Sequence, residues 1–166
     1  MNAMTIEGTL VTDREGKLLN IMRFGKYHTA LVYRVDTENH EAPLAFERCM
    51  EFPANYSKFM IQYDEKSDAY YSIATRVYDS EHTSDRNLLS LLRSEDLVHW
   101  SVVCDLLDYR SHDRQKVGFQ YVDFKFEGED IIYLCRTALN NAHNFHDANY
   151  STFHRIKDFR KLGKGE

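Results

Sequence analysis

The chain has 166 residues, which is enough for one domain with a substantial buried core. With 43% hydrophobic and 28% charged residues its composition is globular, and its net charge of −5 without a basic block argues against a nucleic-acid partner. No apolar run approaches the roughly 18 residues of a membrane span, so we expect no membrane partner either. Eleven Tyr and ten Phe residues among Val and Ile favour strands over helices.

Three pairs of short apolar runs, each joined by an acidic polar turn, predict three β-hairpins. In chain order they are GTLVT-DREGK-LLNIMRF, FMIQY-DEKSD-AYYSIATR and YVDFKF-EGED-IIYLCR. The second strand of each hairpin ends at an arginine, namely Arg23, Arg76 and Arg136. These arginines are 53 and 60 residues apart, which indicates a repeat.

A third strand follows each hairpin and leads to an aspartate, Asp36, Asp96 or Asp158, at spacings of 60 and 62 residues. A fourth strand fits AFERCMEF in the first unit and WSVVCDLL in the second. Two landmarks with nearly one period are typical of propeller blades, whereas the alternative, a β-sandwich or barrel, rarely repeats in this way. We therefore predict an all-β β-propeller domain with about three four-stranded blades, at residues 6–53, 54–117 and 118–166, the last incomplete.

The turn SEDLVHW has a structural interpretation. Side chains of Ser94 and Asp96 can accept hydrogen bonds from backbone N–H groups of the turn, and Trp100 can begin the fourth strand and cover the hairpin. We expect it to stabilise a blade rather than to bind a ligand.

This turn, S-x-D-L-x-x-W, resembles the Asp-box turn of the sialidase superfamily, although it lacks the glycine and is one residue shorter. The shorter form is similar to the turn of arabinanase- and xylosidase-type glycosidases with five blades. The wider run from VGFQYVDFKF to IKDFRKL is similar to bacterial sialidase-like propeller proteins of carbohydrate metabolism. The resemblance implies a glycoside-hydrolase-like protein that binds a terminal sugar, acidic if the arginines converge. It also implies a periplasmic or secreted bacterial protein, although MNAMTIEG has no signal-peptide pattern.

Two alternatives stay open at this stage. The protein is either an exo-glycosidase or a non-catalytic propeller module for carbohydrate or protein recognition, because propellers host many functions. Such enzymes have five or six blades, so this chain would be half or a fragment of a ring. We expect either a homodimer or a missing remainder of the propeller, since a lone half would leave sheet faces uncovered.

Antiparallel strands place the ends of the second strands on one face of the propeller, together with the long variable loops. Arg23, Arg76 and Arg136 therefore share that face, and their arrangement resembles the arginine triad with which sialidases hold a carboxylate. The alternative is that each arginine pairs with a neighbouring acid.

Asp123, near the start of an innermost strand, and Asp147 are the candidate catalytic carboxylates. The polar run HNFHDANY adds candidate substrate-binding residues, namely His143, His146, Asn149 and Tyr150. A second catalytic group is not identified, and Glu51, Asp79, Glu81 and Tyr150 are open possibilities. Three widely spaced cysteines without a CxxC, and no defined ligand spacing, predict neither a metal nor another cofactor.

Overall fold

A computed structural model describes residues 5–25, 28–54 and 57–163. These residues form strands β1 (Thr5–Thr12), β2 (Leu18–Phe24), β3 (Thr29–Arg34), β4 (Ala45–Glu51), β5 (Ile61–Asp64), β6 (Ala69–Thr75), β7 (Leu88–Ser94), β8 (Trp100–Asp108), β9 (Gly118–Glu127), β10 (Asp130–Ala138) and β11 (Tyr150–Ile156). A 3-10 helix spans Phe159–Lys161. In the part of the chain that the structure describes, no helix has the length and apolar character needed to cross a bilayer.

The strands form three antiparallel sheets in which each strand pairs with the next one along the chain. Blade 1 contains β1 to β4, blade 2 contains β5 to β8, and blade 3 contains β9 to β11. The structure thus confirms the all-β propeller fold, including the fourth strands at Ala45–Glu51 and Trp100–Asp108. The third sheet has three strands among the described residues.

The core consists of two apolar layers, one on each side of blade 2. Leu19, Ile21 and Val32 of blade 1 belong to the first layer, together with Tyr70 and Leu92 of blade 2. Tyr71, Ile73 and Leu91 of blade 2 belong to the second layer, together with Phe124 and Tyr133 of blade 3. Every residue of β6 is buried, because neighbouring blades cover both faces of this strand.

The turn that contains Asp96 stabilises the junction between blades 1 and 2. The hydroxyl of Ser94 accepts the backbone N–H of Leu97 at 2.9 Å, and Oδ1 of Asp96 accepts that of His99 at 2.8 Å. Trp100 begins β8, and its ring packs edge-on against Phe52 with the ring centroids 5.0 Å apart. The structural role predicted for this turn is therefore seen in its contacts.

The other two repeated aspartates differ from each other. Asp36 accepts the backbone N–H groups of Glu38 and Asn39, both at 3.0 Å, and so stabilises its own turn as Asp96 does. Asp158 has a left-handed backbone (φ 48°), and its carboxylate pairs with Lys161 at 2.9 Å. The third turn differs because the chain there enters the 3-10 helix instead of a fourth strand.

An ion pair fastens this helix to blade 2. Arg160 donates from Nε and Nη2 to the two carboxylate oxygens of Asp64, both at 2.6 Å, in a bidentate arrangement. Burial alone would raise the pKa of Asp64, but hydrogen bonds from Arg160 and Ser67 lower it below its ordinary value. The side chains of Asp64 and Arg160 are only 5% and 13% exposed, so loss of one partner would leave a buried charge.

We expect Arg160→Ala to lower the free energy of unfolding by about 3 kcal/mol, because Asp64 would lose its partner. Urea denaturation measures this change. Lys161→Ala is the matched control, since its ion pair with Asp158 is exposed, and it should cost less than about 0.5 kcal/mol. Equal effects of the two variants would contradict the role given to the buried pair.

Candidate functional site

Two innermost strands carry a β-bulge at the same end of the propeller. The register of β1 against β2 shifts between Ile6 and Gly8, and that of β9 against β10 shifts between Leu134 and Arg136. The bulges leave Glu7 and Tyr121 with a left-handed backbone, each at φ 54°. Bulges redirect side chains, and here the Tyr121 hydroxyl donates to Oε1 of Glu7 at 3.0 Å. Blades 1 and 3 therefore bring a phenol and a carboxylate together.

Three basic side chains surround this pair, one from each blade. Nε of Arg23 lies 2.7 Å from Oε2 of Glu7, in an ion pair that is largely shielded from solvent. The guanidinium of Arg136 lies 5.5 Å from the ring centroid of Tyr121, a cation–π distance. Lys58 donates to the carbonyl oxygens of Gly8 and Phe59, both at 2.8 Å.

The electrostatics of this cluster favour an anion. Burial lowers the pKa of Lys58, Glu7 opposes that effect, and the charge of Arg23 adds to it. Arg23, Lys58 and Arg136 supply three basic side chains, against the one carboxylate of Glu7. We call these four residues and Tyr121 the inner-strand cluster. Its excess positive charge suits a carboxylate or another anionic group.

The loop between β10 and β11 lies next to this cluster and is fastened from several sides. The carbonyl of His146 accepts Nη2 of Arg136 at 3.0 Å and Nε2 of Gln120 at 2.8 Å. Asn149 closes the base of the loop with two hydrogen bonds to the backbone of Leu139. Gly118 lies so close to the loop that a Cβ there would be 2.4 Å from the carbonyl oxygen of Phe145.

Asp147 is the centre of the hydrogen bonds within this loop. Its carboxylate lies 2.8 Å from Nδ1 of His143 and 3.4 Å from that of His146, and it also accepts Nδ2 of Asn144 at 2.8 Å. The bonds to His143, His146 and Asn144 lower the pKa of Asp147 to about 2. Asp147 is therefore ionised at neutral pH and organises its own loop.

The structure brings some of the predicted site residues together. Arg23 and Arg136 are linked through Glu7 and Tyr121, and the backbone of His146 joins them through its bond to Arg136. Predicted residues His143, Asp147 and Asn149 belong to the adjoining loop, and the exposed Tyr150 begins β11 beyond it.

Arg76 and Asp123 are placed differently. Arg76 donates to both carboxylate oxygens of Asp105, at 2.9 and 3.1 Å, and to the hydroxyl of Ser90 at 3.0 Å. Its guanidinium is thus bound within blade 2, in the ion-pair arrangement that the sequence left open as the alternative. Asp123 is an exposed residue of β9, two positions after Tyr121.

Sequence reasoning missed Glu7 and Tyr121. Neither belongs to the repeated landmarks, and a bulge that turns them inward has no sequence signature of its own. Lys58 could be placed at this end of the propeller from its position before an innermost strand. The sequence signal for Glu7 is its position, as a polar residue directly before Gly8 at the start of the innermost strand of blade 1.

The loop between β6 and β7 contains a second polar group. Ligand atoms of Asp79, Glu81 and His82 lie within 4.8 Å of one another, a spacing that a metal ion can bridge. Asp79 is already engaged: it accepts the N–H of Glu81 at 2.9 Å and lies 2.6 Å from Nδ1 of His82. The hydrogen bond to His82 also lowers the pKa of Asp79. These bonds give the group a structural role in its own loop.

The geometry defines a partial propeller with a polar centre at the innermost strands, and solved structures of glycoside hydrolases share this fold. No protein-family model matches the chain, and no curated protein matches it. The GH93 α-L-arabinofuranosidase of Fusarium graminearum, solved with arabinobiose, superposes with a TM-score of 0.61 at 9% identity. The match covers 96% of this chain and 47% of that chain.

Two GH43 enzymes match less closely. An exo-β-1,3-galactanase from Clostridium thermocellum has a TM-score of 0.54 at 13% identity, over 93% of this chain and 32% of that chain. A GH43 β-1,3-galactosidase has a TM-score of 0.50 at 16% identity, over 93% and 42%. GH93 and GH43 enzymes have propeller-type folds, so the comparisons confirm the fold class. This chain spans less than half of the length of each of these proteins.

We expect Gly118→Ala to displace the loop from the inner-strand cluster, because the new Cβ would meet the carbonyl of Phe145. The crowding should cost about 1–3 kcal/mol of stability, and amide exchange should become faster at residues 143–147. Hydrogen-exchange mass spectrometry together with thermal unfolding measures both effects. Gly128→Ala is the control: its φ of +62° makes alanine strained, but no atom lies within 4 Å. It should lower stability without faster exchange in this loop.

Proposed function

We propose that the chain belongs to a carbohydrate-active protein of the glycoside-hydrolase-like type, which binds a terminal acidic sugar at the inner-strand cluster. The main support is the Tyr121–Glu7 hydrogen bond between two bulged inner strands. Arg23, Lys58 and Arg136 surround this pair. The fold neighbours that are named as an arabinofuranosidase, a galactanase and a galactosidase support a carbohydrate ligand.

An acidic sugar fits the charges of the cluster. Arg136 is exposed and donates a hydrogen bond to the carbonyl of His146 from one Nη atom, which leaves most of its five N–H donors for a ligand. Its planar guanidinium suits bidentate binding of a carboxylate, while the exposed imidazole of His143 in the adjoining loop offers a polar group for a hydroxyl. This is a narrower form of the sialidase-like prediction, with Arg23 and Arg136 as its arginines and Arg76 outside the cluster.

The Tyr121–Glu7 pair also suits nucleophilic catalysis, since sialidases use a tyrosine as the nucleophile. Glu7 would accept the phenolic proton while the oxygen of Tyr121 bonds to the anomeric carbon, and the bond to the leaving oxygen would break. A general acid would protonate the leaving group, and water would then hydrolyse the glycosyl–tyrosine bond. The hydrogen bonds that lower the pKa of Asp147 to about 2 argue against it as this acid, and Asp123 is the other carboxylate that the sequence offers.

A non-catalytic recognition module is the second candidate function. It is favoured by the positions of the two predicted carboxylates: Asp147 organises its own loop, and Asp123 is exposed on β9. In this case the inner-strand cluster would bind a sugar and the Tyr121–Glu7 bond would only fix its shape.

Binding of an acidic sugar should depend on Arg136. We expect Arg136→Met to weaken the binding of N-acetylneuraminic acid by roughly 10- to 100-fold, the range for the loss of a charged hydrogen-bond partner. Titration calorimetry measures the affinity. Arg155→Met is the matched control, because Arg155 also lies in blade 3 but pairs with Asp130 at 2.8 Å. Equal loss in both variants, or equally tight binding of neutral galactose, would contradict the assignment.

Hydrolysis should depend on the hydroxyl of Tyr121. In a fluorogenic panel with an α-sialoside, an α-L-arabinofuranoside and a β-galactoside, we expect turnover of the sialoside and its loss in Tyr121→Phe and Glu7→Gln. Tyr121→Phe keeps the ring beside Arg136, and Tyr150→Phe is the control that should retain activity. Activity that survives in Asp123→Ala removes Asp123 as the acid. Sugar binding without turnover of any member of the panel would favour the recognition module.

A further inference from the structure

Each blade has two faces, and the two internal junctions use them in the same order. We call the face toward the next blade along the chain the forward face and the opposite one the rear face. The forward face of blade 1 packs on the rear face of blade 2, where Ile21 and Leu92 meet in one apolar layer. The forward face of blade 2 packs on the rear face of blade 3, with Ile73 and Phe124 in the second layer.

In the part of the chain that the structure describes, the rear face of blade 1 carries large exposed apolar side chains. Leu10, Asn20, Tyr33 and Phe46 stand opposite one another in a row across all four strands. Leu10 is 62% exposed and Phe46 57% exposed, and the rings of Tyr33 and Phe46 contact each other edge-on. Met22, Leu31 and Cys49 form a second row beside the first, in which Leu31 is buried and Cys49 is exposed. Large apolar residues in such rows are unusual on a surface that faces water.

The forward face of blade 3 is the counterpart. Leu134 and Phe153 are direct partners in the register of β10 and β11, and they are 49% and 62% exposed. Ile132 lies two residues along β10, between Lys125 of β9 and Arg155 of β11, and Asp123 is the partner of Leu134 on β9, so this face combines apolar and charged side chains. At both internal junctions the forward face is buried against the rear face of the next blade.

We propose that two copies of this chain close a six-bladed ring, with the forward face of blade 3 in each copy packed on the rear face of blade 1 in the other. In the second copy, the rear face of blade 1 covers blade 3 of the first copy, and the forward face of blade 3 covers blade 1 of the first copy. A two-fold axis along the channel therefore relates two identical junctions. Closure leaves no terminal blade face exposed to water, whereas an open head-to-tail chain of copies would leave one exposed face at each end.

The size of the fold agrees with this stoichiometry. The chain matches 47% of the arabinofuranosidase structure, with a TM-score of 0.61 over 96% of its own length. Two copies therefore provide about as much propeller as that single chain. A contact between two rear faces would cover Leu10 and Phe46 but leave Leu134 and Phe153 in water. The proposal does not depend on the ligand of the inner-strand cluster.

The first test is the mass of the purified chain by size-exclusion chromatography with light scattering. We expect twice the 19.6 kDa of one chain, at concentrations of about 10 µM, where a dimer with sub-micromolar Kd is populated. A monodisperse monomer over the whole accessible concentration range would overturn the proposal, and it would leave the covering role to a further part of a longer polypeptide.

Single substitutions then identify the faces. Leu10→Arg and Phe153→Arg should each raise the dimer Kd at least tenfold, because every junction of such a dimer contains one altered face. Val98→Arg is the control, since Val98 is also exposed but lies in the turn before β8, away from both faces. Circular dichroism and thermal unfolding show whether each variant is folded.

Mixing separates this ring from other dimers. An equimolar mixture of Leu10→Arg and Phe153→Arg can form a heterodimer in which one junction has two unaltered faces, so we expect the dimer to return at least in part. Unfolded variants would not restore each other. If only one of the two substitutions dissociates the dimer, the dimer joins two like faces, and the head-to-tail ring is wrong. A mixture that stays monomeric would also overturn it.

Discussion

Coverage of sheet faces is the constraint on which this structure depends. A twisted four-stranded sheet whose residues are apolar on both sides must be covered on both sides, and among the described residues blade 2 is covered in this way by blades 1 and 3. The uniform burial of AYYSIAT in β6 contrasts with β1, where buried Val11 is followed by a polar residue and preceded by exposed Leu10. Among the described residues, Leu10 and Phe46 of blade 1 and Leu134 and Phe153 of blade 3 are exposed on the outer faces of these two blades.

The fold could be predicted from the sequence because its hairpins and turns repeat with nearly one period. Hairpins, third strands and two fourth strands can be predicted from alternating apolar runs and turn residues, since these patterns are local and are enforced by the pleat of a strand. Trp100 and Asp96 are predictable for the same reason, because a turn is stabilised by its own side chains. Asp158 shares the spacing but not the geometry, since it leads into a short helix rather than a strand.

The site was less predictable, because it depends on contacts between distant residues. Arg23 and Arg136 occupy equivalent places and join one cluster, yet Arg76, the member between them, finds Asp105 and Ser90 inside its own blade. Only the register of β6 to β8 decides that outcome. Glu7 and Tyr121 are 114 residues apart in the chain, and nothing in their immediate sequence shows that two bulges turn them toward each other.

Both residues of this pair have a backbone that suits glycine better than it suits them. A left-handed φ for a glutamate and a tyrosine costs on the order of 1–3 kcal/mol each, which the surrounding sheets must offset. Glycine at position 7 or 121 would relax the backbone and at the same time remove the carboxylate or the phenol. The preferred backbone and the Tyr121–Glu7 hydrogen bond therefore oppose each other at these two positions, so a sequence optimised for stability alone would lose this pair first.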